Sequence, residues 1–395
     1  MTYLSRLTKL GLAKEATQGT YLVPTVSVPW DSAEYSDATA PLRDESVRAN
    51  DVVLQGLAQG VYQADWALTT NAYPDFIGNW FVALGMFDTV SGGAATTLSG
   101  NATANSTTFS VTLATGITTG TVLKIADAAG VNTEYVTVGS IASTTVTIGI
   151  GGGTGGNSLL FAHTAAGGSV TAQYTHTFKQ LRTFSTVWPS YSFTTNDGVE
   201  QRGWAGCVCD ELAIKIDPKG LIKVSPKFIG WQSATQADFA YAAAVANPMP
   251  GWAWTVTNGG GASTRGLTMD LTLKRAAEAV HASSGTRGPR EVFAGALEAD
   301  GAYKAIFENT TDIGLFRTYI QTPTVHTLTQ PVIQYGGSTL TLTMSVSGYT
   351  TAKVSTTGPY QQLDTSMSGV ANVTDGNTGV GVIQASLTNY AASAY

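Results

Sequence analysis

The chain has 395 residues, enough for two domains and a small third. Only 12% of it is charged, against roughly 25% in an average globular protein. The net charge of −6 leaves no basic footprint for gripping a nucleic-acid backbone, and the two cysteines are too few for a disulfide framework.

Gly, Ser and Thr stand where charges usually do. Thr and Val suit pleated, half-buried surfaces and Gly supplies turns, so the composition favours a mainly β chain. Few charges also leave much surface neutral, as befits a surface covered by copies of itself. The start at Met1-Thr-Tyr-Leu-Ser-Arg6 has no apolar core of signal-peptide length, and no window approaches an apolar membrane span. The expectation is a protein made and kept in the cytoplasm, or released by lysis.

Residues 1–50 carry Pro24, Pro29 and Pro41 among small polar residues, which argues for an extended arm lying on this subunit or a neighbour. Tyr73–Phe87 has the strongest helical pattern. Pro74 suits a first turn, Asp75 the positive end and Gly85 a stop, while Phe76, Ile77, Trp80, Phe81 and Leu84 share one side as core. Residues 91–172 are almost free of charge and contain four short alternating runs, near Phe109, Val122, Tyr135 and Val146. They read as an inserted β module. Its Gly151–Gly156 stretch lacks the Gly-Lys-Ser/Thr ending of a phosphate loop and reads as a linker.

The main domain resumes near Tyr174, and Trp188–Thr194 is another strand. Residues 198–232 then form two alternating arms about the turn Asp217-Pro218-Lys219-Gly220. Leu212, Ile214 and Ile216 on one arm, and Ile222, Val224 and Phe228 on the other, predict one buried and one wet face. Ser233–Asn247 reads as a short helix or connector. The second half echoes the first, with Leu267–Leu273 placed as Ser190–Thr194 and Gly288–Phe307 as Gly198–Ile216, which suggests an internal duplication. The domains expected are an arm (1–50), a first β domain (51–90 with 173–247), the module (91–172) and a second β domain (248–395).

Residues suited to chemistry are sparse. His163, His176, His281 and His326 make no ligand spacing, and neither a nucleophile elbow nor a paired-carboxylate signature is present. Cys207 and Cys209 read as buried thiols, and Trp204, Trp231, Trp252 and Trp254 as packing residues. The expectation is a non-enzyme with no cofactor and no metal.

Several segments together carry a resemblance: Lys14-Glu15…Gly19-Thr20…Pro24, the strand–helix unit ending at Gly85, Gly206–Asp217, Pro331-Val-Ile…Gly337 and Leu387-Thr-Asn389. In these the chain resembles the long form of the tail tube (major tail) proteins of bacteriophages with long non-contractile tails. Within residues 91–172, Thr133–Val138 and Ala162-His163…Gly167–Val170 resemble small β modules that decorate phage structural proteins.

The resemblance implies tandem tube-type β-sandwiches with a flanking helix and a long hairpin that joins neighbours' hairpins around a lumen. It also implies stacked rings of three or six copies, three being favoured, through which double-stranded DNA passes without specific binding. Partners implied are the tape measure, terminator and distal tail proteins, and the location is the virion tail. Asp210, Glu211 and Asp217 are then candidate lumen acids in a negative channel, and Lys215, Lys223 and Lys227 candidate ring contacts. The rival readings are a capsid decoration or sheath protein and a surface glycan-binding adhesin.

Overall fold

The structure is a computed structural model describing residues 4–49, 51–128, 130–181, 188–242, 246–258, 261–263, 265–308, 314, 317–318, 324–330, 337–356 and 358–395. It is mainly β. Its principal elements begin with β1 (Lys9–Lys14), β2 (Ser32–Thr39), β3 (Leu42–Asp44), β4 (Gly56–Ala58), β5 (Tyr62–Asn71) and the helix α1 (Gly78–Ala83). Next come β6 (Met86–Thr97), β7 (Ser169–Leu181), β8 (Tyr191–Asn196), β9 (Gln201–Ile216) and β10 (Lys223–Gly230). The second half supplies β11 (Thr255–Asn258), β12 (Gly266–Lys274), β13 (Glu278–Val280), β14 (Glu291–Phe293) and β15 (Glu298–Ile306). The chain ends with β16 (Thr324–Gln330), β17 (Thr339–Ser355), β18 (Gln362–Gly369) and β19 (Gln384–Asn389).

The period-two pattern of β9 and β10 places Leu212, Ile214, Ile216, Val224 and Phe228 in the core. Their turn forms as its sequence predicts. Gly220 N–H donates to the Asp217 carbonyl at 3.0 Å, and Lys219 N–H to the Asp217 carboxylate at 2.9 Å. The hairpin is central, with no free edge to offer. β9 pairs with β12 on its other side and β10 with β5, so the expectation that the hairpin itself joins a neighbour's gives way to one continuous antiparallel run.

That run reads β2–β5–β10–β9–β12–β15–β18–β17. A second layer lies behind it. The first part of β9 bends away to pair with β8, which pairs with β1. The first part of β17 likewise pairs with β16 and β19, and β16 with β11. Aromatic rings fill the space between layers. Trp66 of β5 stacks on Phe193 of β8 at 4.9 Å and meets Trp204 of β9 edge-on at 4.7 Å.

The two halves share one strand order. In the run, β2, β5, β10 and β9 stand first, second, fourth and third in chain sequence, and so do β12, β15, β18 and β17. The loop after the first strand carries a two-stranded ribbon in each half, β3–β4 and β13–β14. The counterpart of the β9–β10 hairpin is therefore β17–β18, and that of β2 is β12. Residues 288–307 and 267–273, matched by sequence order to 198–216 and 190–194, hold other positions. Within this body one buried cluster runs continuously from Leu10 to Leu387.

Residues 9–14 and 32–39 belong to this body, and Leu10, Leu12 and Val28 lie in its core. Each proline falls outside these strands, so extended pairing survives between them. The helix is shorter than the periodicity predicts. Residues before it form tight turns, with Phe76 and Ile77 N–H donating to the Tyr73 carbonyl at 3.0 and 2.9 Å, and Gly85 at φ +77° ends the segment. Phe76, Ile77, Trp80, Phe81 and Leu84 are buried as expected. For 233–247, no helix forms among the described residues; Ala234–Thr235 is a short strand, and 243–245 lie outside the description. Residues 331–336, at the start of the Pro331-Val-Ile…Gly337 segment, also lie outside it.

β6 and β7 pair along their length and carry the chain into and out of residues 98–168, which enclose a separate core that includes Phe109, Leu123, Val136 and Ile148. Gly151–Gly156 makes a bend and a single 3-10 turn at Thr154–Gly156.

One buried acid ties the first strand to the rest. The Glu15 carboxylate accepts hydrogen bonds from the Ser190 and Ser192 hydroxyls (both 2.7 Å) and from the Gly19 and Gly206 N–H groups (both 2.8 Å). Gly19, at φ +82°, passes under the Trp231 ring, where a Cβ would lie 1.7 Å from ring carbons. Glu15→Ala strands four donors, two of them backbone N–H groups. It is expected to lower the unfolding free energy by about 3 kcal/mol, measured by denaturant titration; a loss under about 0.5 kcal/mol would contradict this anchoring role.

Candidate assembly face

The run of strands buries one side and leaves the other open. On β9, Leu212, Ile214 and Ile216 point inward while Glu211, Ala213 and Lys215 point out; on β15, Ala299, Gly301, Tyr303 and Ala305 alternate with exposed Glu298, Asp300, Ala302 and Lys304. One end of this open side is covered within the chain. There the β13–β14 loop lays Val292 and Ala294 against Val208, Ile229 and Trp231.

The sequence-predicted residues divide on this frame. Glu211, Lys215, Lys223 and Lys227 all lie on the open side, and Lys227 Nζ is 2.9 Å from Glu211 Oε1. Asp210 lines the same side, in a pocket with Asp65 and Lys227. An irregularity between Cys209 and Glu211 turns its carboxylate to accept from Ala277 N–H at 2.7 Å, where it fastens the loop after β12. Asp217 caps the hairpin turn. Cys207 and Cys209 are buried free thiols, and burial pushes both upward in pKa, away from reactivity.

Sequence reasoning missed three polar anchors. His163 lies buried in the inserted module between Asp127 (Nδ1, 3.1 Å) and Glu134 (Nε2, 2.7 Å). His176 on β7 meets Asp88 of β6 at 2.9 Å, and its Nε2 donates to the Ala391 carbonyl at 3.0 Å. The buried Arg275 donates from Nε to the Leu84 carbonyl at 2.7 Å and lies over the Trp188 ring. Such pairs are invisible in sequence because their members lie far apart in the chain. Among the described residues no His, Cys, Asp and Glu group could hold a metal ion, and no helix is long and apolar enough to cross a membrane.

What the fold and face define is a structural β subunit: a duplicated two-layer body whose broad polar face carries paired charges. A family model described as phage tail tube protein matches residues 5–330, and the chain belongs to that family. Its role is structural, in the tail tube of the virion, where tube subunits assemble with copies of themselves and with other phage proteins. A search of curated proteins found no match.

Burial alone lowers the His176 pKa, but its hydrogen bond to Asp88, that group's charge and the Ala391 carbonyl outweigh it and raise the pKa above the ordinary value. A raised folded pKa gives stability that is complete below about pH 6.5 and lost as pH rises through the folded pKa. The stability gap between the wild type and His176→Gln is therefore expected to be larger at about pH 6 than at about pH 9, measured by thermal melts; a gap that widens with pH would contradict it.

Proposed function

We propose that copies of this chain close edge to edge into a ring, that rings stack into the tail tube, and that the open face lines a channel for double-stranded DNA. The observation that carries this reading is the seam inside the chain. There β9 of the first half pairs with β12 of the second, Glu211 opposite Lys274 through Ile216 opposite Met269. The strands equivalent to that pair, β17 and β2, stand at the two ends of the run. Among the described residues, the outer edge of β2 and that of β17 over 348–355 have no strand beside them. Unpaired edges seek partners, and a head-to-tail contact that closes makes a ring without edges.

Carrying the inner seam over to the ends sets the contact. β17 of one copy lies antiparallel to β2 of the next, with Lys353 opposite Ser36 and Ser355 opposite Glu34. All four then fall on the open side, with no like charges opposed. Since each chain supplies two equivalent sets of four strands, three copies make a ring of six. The ribbons follow the same rule. β13–β14 covers the neighbouring half within the chain, so β3–β4 covers the neighbouring copy, with its exposed Leu42 and Leu57 as the apolar contact. The inserted module leaves from β6 and β7, which extend the second layer through β19, and so hangs outside the tube.

Two measurements test this. In Ser36→Cys/Lys353→Cys, oxidised tubes are expected to give covalent ladders that stop at three chains; assembled tubes yielding monomers alone would sink the seam, and ladders reaching six would set the copy number at six. Leu42→Asp/Leu57→Asp is expected to melt like the wild type, within about 0.5 kcal/mol, yet form no tubes under the electron microscope. Normal tubes would remove the ribbon from the contact.

A further inference from the structure

A net charge of −6 suggests an acidic face that repels DNA, but the open side of the run is built differently. Every lysine on it stands beside a carboxylate. Lys227 Nζ contacts Glu211, and the register continues this row from Glu211 to Lys274 to Glu298 across β9, β12 and β15. Lys215 lies opposite Asp270, while Lys304 and Lys353 flank Asp364 from either side. Lys223 reaches Asp31, and the Asn71 side-chain oxygen at 2.8 Å. Between the charged rows runs an uncharged one of Ser32, Thr69, Ser225, Ala213 and Thr272.

We infer that this face is a self-neutralised sliding surface for double-stranded DNA, on which the carboxylates serve to mask the lysines. The inference rests on the tube reading for its biological setting, but the chemistry belongs to the single chain. DNA adheres when free ammonium groups displace the counterions condensed on phosphate. A lysine neutralised across the strand, with side chains opposite each other about 5 Å apart, displaces few. A wall of carboxylates alone would also avoid DNA, but like charges directly opposite destabilise a sheet, and a closed ring would multiply that repulsion. Interspersed signs reduce both penalties, and Lys215 and Lys223, which stand opposite each other, each have a carboxylate of their own in Asp270 and Asp31. Glu34, Asp65 and Asp300 remain without a lysine directly opposite within the chain and give the face a mild acidic excess.

The test uses the unassembled full-length chain and a linear double-stranded DNA fragment, so it stands apart from whether rings form. The wild type is expected not to bind at about 50 mM salt. The isosteric variant Glu211→Gln/Glu298→Gln/Asp364→Asn uncovers Lys227, Lys274, Lys304 and Lys353. It is expected to bind at least tenfold more tightly, with a slope of log affinity against log salt steeper by about 0.9 for each lysine engaged. A control with the same change of net charge away from the face, Glu45→Gln/Asp51→Asn/Glu200→Gln, is expected to behave as the wild type. DNA binding by the wild type, no gain in the face variant, or an equal gain in the control would each overturn the inference. Failure of the tube reading would appear separately, as absent tubes in the electron microscope.

Discussion

The structure depends on the hydrogen bonds of one backbone edge, the seam where Glu211–Ile216 meets Met269–Lys274. Without it each half would end in an open edge beside the core. With it, the chain becomes a continuous run in which both halves share one buried cluster. The seam also fixes which side of every strand is open. Side chains alternate strictly, so a slip of one residue at β9–β12 would turn Leu271 and Leu273 to solvent and Asp270 and Thr272 into the core. The paired charges of the open side are a consequence of that register.

The long strands β9 and β17 explain how such a run also has a second layer. Each begins in the back layer and finishes in the front one, and glycine eases the passage in β9. Gly206 takes φ +65° just before the strand crosses from β8 to β10. Trp231 lies against that glycine and Glu15 bonds its N–H, so the bend, the first strand and the hairpin are held at one place. That is why a single carboxylate near the start of the chain can matter to the whole body.

Much of this was legible where structure is local. The alternation of Leu212–Phe228, the Asp217 turn, the stop at Gly85 and the short apolar runs after Ser106 all express themselves within a few residues. Longer-range pairing was not. The strand Ser32–Thr39 is short, polar and framed by prolines, and only Trp66 and its neighbours across the sheet make it a strand. The repeated strand order was not legible in this way, and the segments paired by their order in the chain hold different places in the run. A two-faced strand requires apolar residues at alternate positions and little else, so Gln201–Ile216 and Thr339–Ser355 match in pairing without matching in sequence. Asp210 and Glu211 looked alike in the chain; one irregular residue in the ladder separates their roles.

The duplication has a further physical consequence. Two separate chains of identical fold would have to meet at identical seams, whereas a tandem chain lets its inner and outer seams differ. The inner one lies within a single chain and never needs to open. The outer one, in the proposed ring, must form only on assembly, and its strands accordingly carry the exposed, polar side chains of Ser32, Glu34 and Ser36. Exposure of Leu42 and Leu57 on the loop beyond is the remaining cost, because an apolar ribbon left in water invites wrong contacts until a neighbouring copy covers it. Duplication halves the number of such ribbons that a ring of six equivalent units must keep soluble before it closes.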